Sequence, residues 1–437
     1  MIDFAIRQHG ATQGMLMIEY AFTKKNIQKS IAYKDMISDA SFRDVEFRHA
    51  VAESAFKEVQ AESIFSPALK TTTIAHKKTY QFQSIQQELV SRLVSKNIRV
   101  NYDIKQLNRK TIVRNAISVL KESSPFNIHR FDVVKFFESV DRKKIVSDLL
   151  NDGKCSRHTV ILLANFFTAL DAQNIEGLPR GIGISSVLAE YVMLKFDRSM
   201  RGAEGVFFYA RFVDDIVVIT SNLVTAEDVK KLVEANIPQP LTMHTTGDKV
   251  SSHSIGKTTS RAAKVKIINY LGYKFSIDTR LHPSEFVMGN KRRRVTMEIA
   301  DSKILKMKSR LIDSFTRFIS KGCSVTEYSI LKNRLMALTG NYYISDPMTG
   351  IHIKTGIFFN YSEKNHFVKC ELYRLDIFLR GLLYCKKHSL SKRIGAHLNS
   401  VQKKELSSFS FVDGFHGKRF YSFSNMQLRE IKEGWKK

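Results

Sequence analysis

The sequence predicts an α+β fold, and three observations carry that reading. The stretch "FRDVEFRHAVAESAFKEVQAES" places Val45, Phe47, Ala50, Val51, Ala55, Phe56 and Val59 at mostly three- and four-residue spacing, the period of a helix with one buried face. From Phe131 onward, helical stretches alternate with short runs rich in β-branched and aromatic residues: "RFDVVKFF", "FFYARFVDDIVVIT" and "VKIINYLGYKFSI". That mixture excludes a pure helical bundle. Third, proline is rare, seven in all, and no low-complexity linker or internal repeat interrupts the chain, so its domains are packed rather than strung out.

The 437 residues are enough for about two to three domains with a real core. An apolar fraction of 43% and a charged fraction of 25% are ordinary for a soluble protein. The charge balance is not ordinary: 69 Lys and Arg face 42 Asp and Glu, a net of +27. Such a field favours a polyanionic partner, nucleic acid first, with a merely soluble basic protein or an anionic membrane surface as the alternatives. Cys155, Cys323, Cys370 and Cys385 are scattered without a CxxC pair or a zinc-site spacing, which suits a reducing cytoplasm. The stretch "MIDFAIRQHG" does not read as a signal peptide. The longest apolar run, "VILLANFFTAL" (160–170), has the length of a buried helix rather than a membrane span. The expected location is the cytoplasm, with no membrane partner.

In chain order, a mostly helical region runs from Asp3 to about Val90. A mixed region follows, with "EGLPRGIGISSVLAEYVMLKFD" (176–197) reading as a glycine-rich turn that opens a helix from about Val187. The tail from Leu281 carries 29 Lys and Arg against 13 Asp and Glu, a net of +16. It opens on "KRRRV" (291–295) and continues into an amphipathic helix, "SKILKMKSRLIDSFTRFISKG". Ile304, Met307, Leu311, Phe315 and Phe318 form its apolar stripe. Lys303, Lys306, Lys308 and Arg310 lie mostly outside the stripe, either as a solvated face or as a surface that follows a phosphate backbone.

The adjacent Asp214 and Asp215 interrupt what otherwise reads as one apolar hairpin. Aspartate favours turns, so the pair could mark a bend and nothing more. Asp132, 82 positions earlier, also sits beside a stiff aromatic run, "VVKFF". If the fold brings the three together, their mutual repulsion calls for divalent cations. Mg²⁺ takes hard oxygen ligands, and two such ions about 4 Å apart activate a hydroxyl and stabilise leaving pyrophosphate.

Five segments in this order resemble the palm motifs of reverse transcriptases: "DVVKFFESVD", "GLPRGIGISSVLAE", "FVDD", "LTMHTTGDK" and "YLGY", spanning roughly residues 105 to 280. The resemblance implies a right-hand polymerase of fingers, palm and thumb, with an antiparallel palm sheet. Its expected boundaries are residues 1–104 for a helical region with part of the fingers, 105–280 for the fingers and palm core, and 281–437 for a basic helical thumb and extension. It implies that Asp132, Asp214 and Asp215 are catalytic and bind two Mg²⁺ ions (Mn²⁺ the alternative), with the backbone carbonyl of Val133 as a further ligand. Lys249 becomes the general acid for pyrophosphate. Phe137, five residues after Asp132, takes the position that excludes a nucleotide 2′-hydroxyl, unless it is plain core. Arg109, Lys110 and Arg114 in "QLNRKTIVRNAISVLKE" are candidates to grip the triphosphate.

The chain departs from the family at sites that touch nucleotide, template or primer. Phe212 replaces the usual Tyr, Arg180 replaces a Gln, Ser185-Ser186 replaces Ser-Pro, and no Asn stands near His244 or Thr245. The segments after the palm lack an endonuclease-like spacing, an RNA-cleaving carboxylate cluster and a retron-type thumb signature. The closest resemblance is therefore to the bacterial defence-associated, antiphage reverse transcriptases. The implied partners are an RNA template, expected to be a non-coding RNA, the DNA product and deoxynucleoside triphosphates, with an oligomer or partner protein left open. Two other readings remain: template-independent or protein-primed DNA synthesis, and an RNA-binding scaffold whose catalysis is dispensable. Three intact aspartates favour an active polymerase.

Overall fold

The computed structural model describes residues 19–66, 69–74, 77–247, 249–256, 264–287, 290–345, 352–365 and 370–435. Residues 3–18, the start of the expected helical region, lie outside them. In chain order come α1 (Lys24–Lys29), α2 (Tyr33–Ser38), α3 (Val45–Gln60), the hairpin β1 (Lys70–Ile74) and β2 (Lys77–Gln81), α4 (Ile85–Asn101), α5 (Arg109–Leu120) and β3 (Phe126–Asp132). Next are α6 (Arg142–Asp152), α7 (Arg157–Ala172), α8 (Gly183–Gly202), β4 (Val206–Phe212), β5 (Asp215–Ser221), α9 (Ala226–Asn236) and β6 (Ser251–Ile255). The strands β7 (Val265–Tyr270), β8 (Tyr273–Val287) and β9 (Asn290–Ile299) precede α10 (Asp301–Ser320) and α11 (Val325–Thr339). Then follow β10 (Asn341–Ser345), β11 (His352–Gly356), α12 (Ile357–Asn360), α13 (Glu371–Tyr384), α14 (Ser389–His397), α15 (Ser400–Ser407), α16 (Phe411–His416) and α17 (Asn425–Glu433).

The chain divides into two compact units, with the division falling inside α8. The first comprises Met1–Gln106, Lys135–Leu194 and Pro238–Leu241; the second comprises Leu107–Val134, Lys195–Ile237 and Thr242–Lys437.

In the first unit, caps set the helix starts. Ser84 and Gln87 form a capping box on α4, and the Ser156 hydroxyl accepts from the Thr159 amide of α7. The "VILLANFFTAL" run is the buried helix its length implies, with Leu162, Leu163, Phe166 and Leu170 at most 2% exposed. The amino-terminal region that reads as mostly helical also holds the β1–β2 hairpin. Its "KTTTI" run is β-branched, and the Thr72 and Thr79 hydroxyls meet across the strands at 2.8 Å. Helix α8 also starts one turn before Val187, at Gly183, where the buried Ser185 hydroxyl donates to the Pro179 carbonyl (2.7 Å).

The second unit holds an antiparallel four-stranded sheet of order β4-β5-β3-β6 and an antiparallel three-stranded sheet of order β7-β8-β9. The second sheet takes in residues 281–287 and 290–299, so the basic tail opens as strand before its helices begin. In β9 the inward positions are Arg293, Val295, Met297 and Ile299. Arg293 is fully buried. Its guanidinium donates to the carbonyls of Glu122, Ser124 (2.8 Å) and Gly256 (3.3 Å) and lies 5.2 Å from the Phe126 ring centroid.

Helix α10 buries the expected stripe: Ile304, Leu311, Phe315 and Phe318 are buried and Met307 is partly so. They share one core with Leu331 and Leu335 of α11, Leu375 and Leu379 of α13, and Phe411 and Phe415 of α16. Each such side chain contributes about 1.5–3 kcal/mol when fully buried.

His129 on β3 is 1% exposed, with Nδ1 3.0 Å from the Ser252 hydroxyl and Nε2 3.4 Å from that of Thr220. Burial, then the neighbouring His253, push its pKa down to about 4. The unfolded chain therefore binds a proton that the folded chain refuses. His129 contributes stability above the unfolded pKa of 6.5, lost as pH falls toward 4, up to about 3 kcal/mol. We expect denaturant melts of His129→Gln to show a shallower loss of stability between pH 6.5 and 4 than the parent protein. Parallel curves would show that His129 does not drive the slope.

Candidate active site

In the second unit, β4 and β5 are joined by a two-residue turn, Val213-Asp214, closed by the Phe212–Asp215 pair. Val213 sits at φ 62°, a region that β-branched residues rarely enter. The Val213 carbonyl accepts from Arg211 Nη1 (2.9 Å), and Arg211 is itself forked onto Asp197 of α8 through Nε (2.9 Å) and Nη2 (2.8 Å). The Tyr209 hydroxyl donates to the same carboxylate at 2.6 Å. All three residues are at most 8% exposed. Burial and then the Asp197 charge push the Tyr209 phenol far above its usual range, which keeps it a donor. A buried ionic network thus holds the strained turn from below.

The sheet register brings the distant aspartate to the same place. Asp132, the last residue of β3, is the cross-strand partner of Asp215, and the Val133 amide donates to the Asp214 carbonyl (3.1 Å). Asp132 and Asp215 are each met by a cation. Lys249 Nζ donates to Asp132 Oδ1 at 2.6 Å, with His244 Nε2 3.4 Å from the same oxygen and 3.3 Å from Lys249. Arg130, diagonal to Asp215 across β3 and β5, forks onto its carboxylate at 2.9 and 3.2 Å. Burial raises the Asp215 pKa above the usual range; Arg130 opposes that rise, and Asp132 and Asp214 add to it. The Asp214 side chain, half-buried at the tip, has no hydrogen-bond or ion-pair partner among the described residues.

Among the described residues, no three His, Cys, Asp or Glu side chains close into a ready metal cage. The donor set still suits a hard divalent cation. Asp132 and Asp215 are paired across a ladder with Asp214 beside them, and burial first, with the charges of Asp132 and Asp214 adding to it, raises the Asp215 carboxyl. Val133 faces Met243 at a bridge whose flanking hydrogen bonds use the Asp132 and Thr242 carbonyls, leaving the Val133 carbonyl outside that pairing.

The "YLGY" segment is the β7–β8 turn. Leu271 (φ 47°) and Gly272 (φ 76°) give the two positive φ values that a tight primed hairpin turn requires. This turn borders a cavity of about 500 Å³ lined by Arg109, Arg130, Asp215, Lys303, Lys306 and Arg310, among others. Arg310, then burial, then Lys303 push the Lys306 amine down, the mark of crowded positive charge. Lys308 is turned elsewhere, over the Phe378 ring at 5.3 Å.

The three residues expected to grip a triphosphate are engaged within this unit. Arg109 donates to the Leu271 carbonyl through Nε (3.0 Å) and to the Asn360 carbonyl through Nη1 (3.1 Å). Lys110 (3.3 Å) and Arg114 (2.7 Å) pair with Glu363. Of the three, only Arg109 lines the cavity that Asp215 borders.

In the first unit, Arg180 is forked onto Glu138, and its guanidinium carbon lies 5.0 Å from the Phe137 ring centroid. Phe136 is 1% exposed and belongs to the core, whereas Phe137 is half-buried.

Sequence reasoning missed Arg130, His244, Glu138 and the network of Asp197, Tyr209 and Arg211. Arg130 was within reach of the two-residue period of β3, because it shares a face with Asp132. The others depend on tertiary contacts.

Residues 60–275 match the family model described as reverse transcriptase (RNA-dependent DNA polymerase), a span that holds the aspartate hairpin, Lys249 and Arg180 and ends before Lys303. A search of curated proteins found no match. No helix among the described residues is long and apolar enough to cross a membrane. With Asp132 and Asp215 paired across one ladder inside the matched span, the chain belongs to the reverse transcriptase family and is an RNA-directed DNA polymerase, a nucleotidyltransferase.

Proposed function

We propose that the enzyme copies a bound RNA into DNA through nucleotidyl transfer at Asp132, Asp214 and Asp215. The observation that carries this reading is the cross-strand pairing of Asp132 with Asp215, beside Asp214, whose side chain has no partner among the described residues, and a basic cavity. Two divalent cations, Mg²⁺ or Mn²⁺, would be held by the three carboxylates and the Val133 carbonyl, and would supply an activated hydroxyl and charge for leaving pyrophosphate. Arg130 fixes the Asp215 carboxylate, and the Asp197–Arg211 pair fixes the turn that presents Asp214. Lys249, on Asp132, is in reach to donate a proton as pyrophosphate departs. Phe137 meets the sugar and disfavours ribonucleotides.

Lys303, Lys306 and Arg310 contact the phosphates of the nucleic-acid duplex from the α10 side of the cavity. Reversing these three to Glu is expected to weaken nucleic-acid binding and to lower its salt slope by about two to three, near one per lost phosphate contact. Lys308→Glu, at a side chain turned toward Phe378, is expected to change the slope by less than one. Equal effects of all four would remove the distinction.

The biological reading is antiphage defence on a partner non-coding RNA in the cytoplasm. It rests on the resemblance to bacterial defence-associated enzymes, in which helices follow the palm, as α10 to α17 do here. The biochemical test is primer extension on a heteropolymeric RNA with one deoxynucleotide omitted. Arrest at the first position needing the omitted base supports templated synthesis, whereas extension past it supports template-independent addition.

A further inference from the structure

Phe137 does not stand alone as an aromatic wall. Its ring packs edge-on against the buried Phe136, at 5.6 Å between centroids and 62° between planes, and the Arg180 guanidinium lies over it. Arg180 is oriented from the next residue along the chain: Nε donates to Glu138 Oε1 at 2.6 Å and Nη2 to Oε2 at 2.9 Å. This two-point fork fixes the plane of the guanidinium as well as its position.

The backbone beneath is pinned to the same loop. The Leu178 amide donates to the Phe137 carbonyl (2.7 Å). Gly177, at φ +57°, approaches so closely that a Cβ there would overlap the Phe137 and Glu138 carbonyls. The Arg180 carbonyl, in turn, accepts from the Tyr80 amide at the end of β2 (2.7 Å).

We propose that Glu138 is a specificity-determining residue: by holding Arg180 over Phe137 it fixes the ring that meets the nucleotide sugar. This rests on the reading of Phe137 as the residue that excludes a 2′-hydroxyl. An arginine committed to a carboxylate and an aromatic face serves the ring, so Arg180 acts on the sugar through Phe137 rather than by gripping phosphate. The chemical class discriminated is the 2′ position of a nucleoside triphosphate.

The test is kcat/KM for matched deoxy- and ribonucleoside triphosphates on one RNA template, for the parent enzyme, Phe137→Ala, Glu138→Gln and Arg180→Lys. Phe137→Ala is expected to lower the deoxy-to-ribo ratio most. Glu138→Gln and Arg180→Lys, which keep size but break the fork, are expected to lower it in the same direction by about two- to fivefold, the scale of one exposed cation–π contact. If Phe137→Ala shifts the ratio and Glu138→Gln leaves it unchanged, the clamp is wrong while the role of Phe137 stands. If Glu138→Gln lowers both rates equally, Glu138 is only structural and the proposal fails. If Phe137→Ala leaves the ratio unchanged, Phe137 is plain core and the clamp fails with it. Glu138 is exposed, so its substitution does not threaten the fold, and Arg180→Lys gives an independent reading.

Discussion

Asp214→Ala is expected to lower DNA synthesis by about three orders of magnitude or more while RNA binding and the unfolding midpoint stay near those of the parent protein. The side chain is half-buried at the tip of the hairpin and no protein group among the described residues leans on it, so its removal leaves no orphaned partner. Asp132→Ala and Asp215→Ala differ in a way the geometry dictates. Each strips the counter-charge from a neighbour, Lys249 in one case and the less exposed Arg130 in the other. Asp215→Ala should therefore reduce stability as well as activity, because Arg130 is left with its charge poorly solvated. Single-turnover primer extension beside denaturant melts separates the two effects. Retention of more than a tenth of parental activity in Asp214→Ala would remove it from the chemistry.

Asp197→Ala is expected to be the costliest single change away from the aspartates, at about 3–5 kcal/mol of stability, because it leaves Arg211 buried without its carboxylate. The Tyr209 hydroxyl loses its acceptor in the same step. Activity should fall as well, since Arg211 then no longer holds the Val213 carbonyl in a fixed place and the turn beneath Asp214 is strained. Adding Arg211→Met should recover part of the stability, because it removes the buried charge that has lost the Asp197 carboxylate, but not the activity, because the turn loses its support. Denaturant midpoints of the two single variants and the double variant, with extension rates on each, make the comparison. A cost below about 1 kcal/mol for Asp197→Ala would mean that the pair is solvated and does not brace the turn.

Much of this site is legible in the sequence because its strands announce themselves. "FFYARFVDDIVVIT" gives an aromatic run and a β-branched run around a turn, with one carboxylate in the turn and the other on the residue that closes it. The partnership of Asp132 with Asp215 is a different kind of fact. It depends on which strands pair across 83 positions, and only the family resemblance pointed to it. Strand β9 was hidden by its own composition. A run of Lys and Arg reads as solvated, yet Arg293 takes an inward position by giving its donors to backbone carbonyls and its face to Phe126. The β1–β2 hairpin was overlooked because strong helical periodicity surrounds a short threonine run. The basic residues of α5 were legible as cations but not as the partners of Leu271, Asn360 and Glu363, which lie far along the chain.

The most direct test of RNA-directed DNA synthesis at this aspartate site is to sequence the nucleic acids that copurify with the parent protein and with Asp214→Ala, each expressed from its native locus. The predicted result is one defined RNA in both preparations and DNA complementary to that RNA in the parent alone. DNA complementary to the RNA in the Asp214→Ala preparation, or parental DNA that matches no bound RNA, would contradict it.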